Sequence, residues 1–188
     1  VDLNGYTRGH RIGVLMQRAA PIQVSWIGYP CTTGMDVMDY RIVDLFTDPE
    51  PGSEQHNSES LIYMNPVFSV YLPDSTLPDT ASETPAINNG YATFGSFNSL
   101  PKPKPELLQT RGQSLKRVKD SKILLKNKML DQPSVRKNVS NALIDAGISV
   151  DRQILLGRTE SPFEHMESYQ QVDLCLDNFP YNGTTTSC

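Results

Sequence analysis

Strand-like and helix-like segments alternate along the second half of the chain. Strands are predicted at residues 91–97, 122–125, 154–156 and 172–176, and helices at residues 106–118, 133–146 and 162–171. This order is typical of a parallel sheet whose strands are joined by helices. The alternation therefore predicts an α/β fold in which a ligand would bind outside the carboxyl ends of the strands.

A stretch rich in Pro, Ser, Thr and Asp interrupts the chain at residues 73–90 and ends in an Asn-Asn-Gly turn. We predict a linker there, between a first lobe at residues 1–72 and a second lobe at residues 91–188. Strand-like segments at residues 22–29 and 40–43, followed by a short element at residues 61–64, predict a sheet-based unit in the first lobe as well. Both ends of the chain resemble interrupted elements, so we expect a fragment of a larger protein.

The composition excludes several classes of partner. A net charge of −4 over 188 residues gives no general attraction to nucleic acid or to an anionic membrane. The basic run at residues 102–128 lacks interleaved aromatic side chains and is interpreted as a solvated helix surface. No apolar run reaches the roughly 20 residues of a membrane span, and no secretory signal is visible. We therefore predict a cytoplasmic or nucleocytoplasmic protein without nucleic-acid or membrane partners.

The cysteines show neither a disulfide framework nor metal-ligand spacing. The chain has 3 of them, far apart and without a CxxC pair. We predict no metal site. Cys175 lies within the last predicted strand and is interpreted as a buried core thiol.

The last predicted strand runs into a turn suited to a phosphate. Val172, Leu174 and Leu176 repeat with period two, Asp177 ends the strand, and the sequence YNGTTT follows. If a helix begins after this turn, the unpaired N–H groups at its start and the hydroxyls face a common point. Gly183, Thr184, Thr185 and Thr186 are the candidate phosphate-binding residues.

Two further side chains are predicted to lie at the same edge of the sheet. Lys102 follows the first strand of the second lobe in GSFNSLPK, and its ammonium suits a diphosphate. His165 begins a predicted helix and can hydrogen-bond a phosphate or a base. A solvated lysine and a packing histidine are the ordinary explanations, but convergence with the threonine turn favours a site for Lys102. In the first lobe, Tyr29, Thr33 and Gly34 follow a strand and could face a cleft.

The sequence excludes two common nucleotide sites. The lysine of the GxxxxGK[ST] motif is missing from the glycine-threonine turn, and no GxGxxG is present. An ATPase of the P-loop type and a dinucleotide-dependent dehydrogenase are therefore not expected.

Six segments in a fixed order carry a resemblance to a known family: APIQVSWIGYP, TTG, MDY, TFGSFNSLPK, EHM and DLCLDNFPYNGTTTSC. Together they resemble the catalytic region of the O-linked N-acetylglucosamine transferase family, glycosyltransferase family 41. The resemblance implies a GT-B-type enzyme with two Rossmann-like lobes, of which this chain holds parts, incomplete at both ends. It also implies transfer of N-acetylglucosamine from UDP-GlcNAc to Ser or Thr of acceptor proteins, without a cofactor.

The resemblance assigns roles to particular residues. Lys102 matches the lysine on the donor diphosphate, His165 a histidine of the nucleotide pocket, and the threonine turn the phosphate contact. Ser99 stands where the family usually has Asn or Gln, so one donor contact is altered. Arg111 and Gly112 replace a common Trp-Ala pair, and we expect them to loosen the packing of their helix.

The residues absent from the chain matter as much. The resemblance places the catalytic histidine upstream of Val1 and an acidic ribose contact just beyond Cys188. We therefore expect the isolated piece to be inactive. Two alternatives stay open: transfer of fucose from GDP-fucose, as in similar plant proteins, and a non-catalytic binding or scaffold protein that keeps the fold.

Overall fold

The computed structural model describes residues 1–73, 77–79, 83–100, 105–179 and 182–187. The chain divides into two compact units, Val1–Leu72 and Pro73–Cys188. Each unit has its own parallel sheet. A search of the described helices for a membrane-spanning segment finds none that is long and apolar enough.

The first unit contains three parallel strands in chain order. Its elements are α1 (Ile12–Leu15), β1 (Val24–Ser25), β2 (Tyr40–Val43), a 3₁₀ turn (Glu54–His56) and β3 (Ser60–Tyr63). In β2 the alternate residues Arg41 and Val43 are buried, as the pleat of a strand requires. Arg41 is accommodated in the interior because Asp48 accepts two hydrogen bonds from it, at 2.8 and 3.0 Å.

The second unit contains four parallel strands in the order β6-β5-β4-β7. The strands are β4 (Thr93–Ser96), β5 (Lys122–Lys126), β6 (Gln153–Leu156) and β7 (Leu174–Cys175). The helices are α2 (Pro85–Asn89), α3 (Pro105–Arg117), α4 (Pro133–Asp145) and α5 (Pro162–Glu167), with 3₁₀ turns at Lys128–Asp131, Val150–Arg152 and Ser168–Gln171. The prediction of an α/β fold with parallel sheets is confirmed.

Part of the predicted linker is ordered structure of the second unit. Helix α2 lies within residues 73–90, and the N–H of Ala86 donates to the Asp173 carboxylate at 2.8 Å. Asp173 also accepts from the N–H of Thr93, the first residue of β4, at 2.8 Å. The end of the stretch is therefore fixed to the sheet, which the abundance of proline and serine did not indicate.

The core of the second unit lies between the sheet and helices α3 and α4. Six side chains form it: Leu115, Ile123, Leu125, Leu130, Leu143 and Ile148. Helix α3 comes so close to the end of α4 that a Cβ on Gly112 would lie 2.0 Å from the carbonyl oxygen of Ala146. The expectation that Arg111 and Gly112 loosen this helix is therefore wrong at Gly112, where the lack of a side chain permits the contact.

Strand β7 forms one edge of the sheet among the described strands. It pairs with β4 through Leu174 and Cys175, and both residues are exposed. The interpretation of Cys175 as a buried core thiol is therefore wrong. The reason is topological, since a residue in an apolar strand is buried only where something covers it.

Candidate functional site

The strand order of the second unit reverses between β4 and β7. The chain builds β4, β5 and β6 in one direction and then returns to place β7 on the other side of β4. Strand β4 therefore has β5 on one side and β7 on the other. In open parallel sheets, such a switch point opens a crevice at the carboxyl ends of the two strands, and ligands bind there.

A cavity of 110 Å³ occupies this switch point. It is lined by the ends of β4 and β7, by the last residue of the threonine turn and by the serine that closes this turn: Gly95, Ser96, Phe97, Asn98, Cys175, Leu176, Asp177, Thr186 and Ser187. We refer to it as the switch-point crevice. The fold thus brings the predicted phosphate turn against the carboxyl end of β4.

The Asp177 carboxylate holds the turn in place. Its Oδ1 accepts the N–H of Gly183 and the N–H of Asn178, each at 2.7 Å. The Ser187 hydroxyl donates to Oδ2 at 3.0 Å, and the Asn98 amide donates to Oδ1 at 3.1 Å. One side chain therefore joins the end of β7, the loop after β4 and both ends of the turn.

The pKa of Asp177 is lowered. Burial by itself raises it, but the hydrogen bonds from Gly183, Asn178, Ser187 and Asn98 favour the ionised form and outweigh burial. At neutral pH the carboxylate is therefore an acceptor only. The sequence suggested that backbone N–H groups of the turn face a phosphate, whereas the N–H of Gly183 is donated to Asp177.

Gly183 is surrounded closely by side chains. A Cβ at this position would lie 2.6 Å from Oγ of Ser187 and 2.8 Å from Oδ1 of Asn98. The rest of the turn is closed by the N–H of Ser187, which donates to the carbonyl of Thr184 at 3.0 Å. Thr184 and Thr185 are exposed, and Thr186 is half-buried. Two of the three predicted hydroxyl-bearing residues are thus accessible from solvent.

His165 belongs to an aromatic group beside the crevice. Phe97 and Tyr169 are stacked, with ring centroids 3.6 Å apart, and His165 meets Phe97 edge-on at 5.9 Å. Burial, and then the charge of Lys126, lower the pKa of His165. The neutral imidazole is therefore favoured, which can both donate and accept a hydrogen bond. Tyr169 donates its hydroxyl to the carbonyl of Thr186 at 3.2 Å, which connects this group to the turn.

A second cavity of 270 Å³ lies on the other side of Phe97, at the carboxyl ends of β5 and β6. We refer to it as the basic cavity. Its lining residues are Phe97, Lys126, Asn127, Lys128, Gly157, Arg158, Thr159 and His165. Lys126 is buried and donates to the carbonyl of Gly157 at 3.0 Å. An aromatic ring, a neutral imidazole and several cations therefore line one space.

The remaining predicted residues are placed as follows. Lys102 lies outside the described residues. Ser99 is exposed, directly after Asn98. Tyr29, Thr33 and Gly34 lie in the first unit.

Within that unit, Thr33 is buried and its N–H donates to the Glu59 carboxylate at 2.8 Å. The ring of Tyr29 meets that of Tyr6 edge-on at 5.4 Å. Gly34 is exposed and has φ of +66°, a left-handed conformation that favours glycine.

Sequence reasoning missed three side chains that shape the crevice. The sequence pattern indicates only the end of a strand at Asp177 and assigns no role to Asn98. Arg111 was treated as a loosened packing position, but it is 3% exposed and donates to Oδ1 of Asn178 at 2.8 Å. An aspartate placed between an apolar strand and a glycine turn is the signal that could have identified the first.

A search of the described residues finds no group of three or more His, Cys, Asp or Glu side chains that could hold a metal ion.

Known proteins are similar to this chain over both of its units. A family model described as glycosyl transferase family 41 matches residues 1–79. The "Probable UDP-N-acetylglucosamine--peptide N-acetylglucosaminyltransferase SPINDLY" of Eustoma exaltatum subsp. russellianum is 41% identical over 188 residues, which is 100% of this chain and 20% of that protein. The Arabidopsis thaliana protein of the same description named SEC is 31% identical, over 99% of this chain and 19% of its own length.

A solved structure is similar over both units. A mutant of the Thermobaculum terrenum O-GlcNAc transferase matches with a TM-score of 0.87 and 31% identity, covering 99% of this chain and 34% of that one. The chain spans about a fifth of the length of the curated relatives that it matches.

Proposed function

The chain belongs to glycosyl transferase family 41, and from this premise we propose that it forms the nucleotide-sugar site of a protein O-glycosyltransferase. The donor is UDP-GlcNAc, and the acceptors are Ser or Thr hydroxyls of proteins. The observation that carries the proposal is the switch-point crevice, where the predicted phosphate turn lies against the end of β4. The names of the relatives support the choice of sugar and of a peptide acceptor.

In this proposal the donor lies along the carboxyl edge of the second sheet. The diphosphate contacts the exposed hydroxyls of Thr184 and Thr185 and the ammonium of Lys102. The nucleoside extends past Phe97 toward His165. The support for this orientation is that Phe97 lines both the crevice and the basic cavity, so the two are neighbours at the same edge of the sheet.

In the reaction these residues would stabilise the leaving group, which is the nucleoside diphosphate. When the sugar is transferred, the bond from its anomeric carbon to the diphosphate breaks, and negative charge develops on the departing oxygen. A lysine and hydroxyl donors fixed in advance stabilise that charge more in the transition state than in the bound donor. In the proposal, Lys102 supplies the positive charge, and no metal or organic cofactor takes part.

Asp177 has a positioning role in this scheme. Its ionised carboxylate is committed to four hydrogen bonds within the protein. The compartment predicted from the sequence, cytoplasmic or nucleocytoplasmic, stays a prediction, as do the lobe boundaries and the inactivity of the isolated piece.

The test uses the full-length protein that contains this chain. Binding of UDP and GDP is measured by titration calorimetry, and transfer to protein is measured with radiolabelled UDP-GlcNAc and GDP-fucose. Tighter binding of UDP with transfer of N-acetylglucosamine is expected. Tighter binding of GDP with transfer of fucose would identify GDP-fucose as the donor instead of UDP-GlcNAc. Binding without transfer would support a scaffold protein. Binding of neither nucleotide would overturn the proposal.

A further inference from the structure

Arg111 is a buried cation whose hydrogen bonds go to neutral groups. It extends from α3 toward the residues that follow β7, and it is 3% exposed. Its Nη2 donates to Oδ1 of Asn178 at 2.8 Å and to the carbonyl oxygen of Asp177 at 3.1 Å. Burial lowers the pKa of the guanidinium, and the nearby charge of Asp177 opposes this shift.

The hydrogen bonding of this pair is incomplete within the described part of the chain. Nε and Nη1 of Arg111, and Nδ2 of Asn178, are buried donors without an acceptor there. A buried cation in such a setting adds little to stability, because the loss of its hydration is only partly compensated. Apolar packing would fill the same space at lower cost. The value of Arg111 to the protein is therefore to be sought in what it holds.

Arg111 holds the segment after β7 that supports the threonine turn. Asp177 and Asn178 are the residues that Arg111 fixes, and the Asp177 carboxylate accepts from Gly183 and Ser187. Helix α3, from which Arg111 extends, is held rigidly because it is packed tightly on the end of α4 at Gly112. A continuous path of hydrogen bonds thus runs from a core helix to both ends of the turn.

We propose that Arg111 is a positioning residue for the phosphate-binding turn. It fixes the backbone at Asp177 and Asn178, and the Asp177 carboxylate passes that fixed position on to Gly183 and Ser187. The inference rests on the proposed function only in naming a diphosphate as the ligand of the turn. The ordering of the turn by Arg111 can be measured on the protein without any ligand.

The variants are Arg111→Met, which removes all donors at similar length, and Arg111→Lys, which keeps the charge. Two arginines serve as matched controls. Arg117→Met changes an exposed residue of the same helix. Arg152→Met removes an arginine that donates to the carbonyls of Leu115 and Ser121, so it reports on loss of stability alone.

Two measurements are made on the full-length protein. Hydrogen exchange followed by mass spectrometry reports on the backbone N–H groups of residues 177–187. Calorimetry compares a nucleoside diphosphate with its nucleoside, using UDP with uridine and GDP with guanosine. The nucleoside lacks the phosphates, so its affinity is insensitive to the turn.

In Arg111→Met we expect faster exchange across residues 177–187 and diphosphate binding weakened by about tenfold, with nucleoside binding unchanged. Arg111→Lys is expected to fall between wild type and Arg111→Met. Arg152→Met should lower the melting temperature without changing the ratio of diphosphate to nucleoside affinity. Arg117→Met should resemble wild type.

Wild-type exchange in both Arg111 variants would overturn the inference, whatever the ligand. So would an equal loss of nucleoside and diphosphate affinity, because that pattern is shared with general destabilisation. If Arg111→Met does not fold, Arg111→Lys decides by the same two readouts. If wild type binds no nucleotide, the proposed function fails, and exchange of the turn still tests Arg111.

Discussion

Each of the two sheets has an aspartate within two residues of the end of a strand, and the two carboxylates act alike at first sight. Asp44 follows β2 in the first unit, and its carboxylate accepts the N–H groups of Phe46, Thr47 and Phe68 at 2.8 to 2.9 Å. Asp177 follows β7 in the second unit and accepts the N–H groups of Asn178 and Gly183. Both hold the loop that leaves the carboxyl edge of a parallel sheet.

The difference lies in the surroundings of the two carboxylates. Asp44 is 2% exposed, whereas Asp177 is exposed and lines the switch-point crevice. For both, burial raises the pKa and hydrogen bonds lower it further than burial raises it. The strands of the first sheet lie in chain order, but the order of the second sheet reverses beside β7. The same local device therefore closes a loop in one unit and supports a site in the other.

The largest expected effect separates the two aspartates. Asp44→Ala leaves three backbone N–H groups without their acceptor, and we expect it to lower the free energy of unfolding by about 3 kcal/mol. Nucleotide affinity should stay unchanged. Asp177→Ala should cost less stability, about 1 kcal/mol, because water replaces the lost acceptor. Diphosphate affinity should fall by about tenfold.

Urea denaturation and calorimetry on the same preparations measure both effects. Asp44→Asn and Asp177→Asn are the controls, since each keeps one acceptor oxygen. An equal loss of nucleotide affinity in Asp44→Ala and Asp177→Ala would contradict the claim that only the aspartate of the second unit supports a binding site.

Lys102→Ala tests whether the carboxyl edge of the second sheet binds a diphosphate. We expect affinity for the preferred nucleoside diphosphate to fall by about 1.5 to 3 kcal/mol, the range for a hydrogen bond to a charged group. Lys119→Ala, at an exposed lysine of the same unit, is the control and should have no effect. A dissociation constant unchanged by Lys102→Ala would exclude this lysine from the site.

Gly112→Ala tests the rigid support of the crevice. The added methyl group would meet the carbonyl of Ala146, and we expect a loss of about 1 to 3 kcal/mol in stability. Gly13→Ala in α1 of the first unit meets nothing within 4 Å. It should stabilise the protein by about 0.5 to 1 kcal/mol, because alanine restricts the unfolded chain more than glycine does. Thermal denaturation measures both, and equal effects would contradict the close approach of α3 to α4.

Thr185→Val tests the contribution of a single hydroxyl at the turn. Its backbone is kept, so we expect a loss in diphosphate affinity of about 1 kcal/mol, smaller than that of Lys102→Ala. Thr110→Val, at an exposed threonine of α3 whose hydroxyl donates to the carbonyl of Glu106, is the control for the same replacement and should leave nucleotide affinity unchanged. A loss of affinity as large as that of Lys102→Ala would contradict the smaller contribution expected of a single hydroxyl.

The smallest expected effect is a pH dependence that arises in the second unit. The pKa of His165 is lowered in the folded protein from its ordinary value of 6.5, so the unfolded chain binds more protons just below that pH. Stability from this source is complete above pH 6.5 and decreases as the pH falls through the folded pKa. His165→Gln should flatten the unfolding free energy in that range. Equal slopes for wild type and variant would contradict the shift.

The sequence was sufficient for the elements whose causes are local. Helix α4 begins with Pro133 at its first turn and is followed by Gly147 with φ of +85°, as the sequence predicted. The apolar runs predicted each strand of the second sheet, and they fit the largely buried central strands β4 and β5. The same runs could not show which strand lies at an edge, and Cys175 was therefore placed in the core.

By itself the sequence determined the α/β class, the approximate positions of the second sheet's strands and of helices α3 and α4, and the family through an ordered set of motifs. Only the tertiary structure decided that β7 lies beside β4, and so that Asp177 joins the end of β7 to Asn98 and to the turn. It also decided that Arg111 supports that segment from a core helix. The physical reason is that propensity and periodicity act over a few residues. Strand order and hydrogen bonds between residues more than 60 positions apart depend on how the whole unit packs.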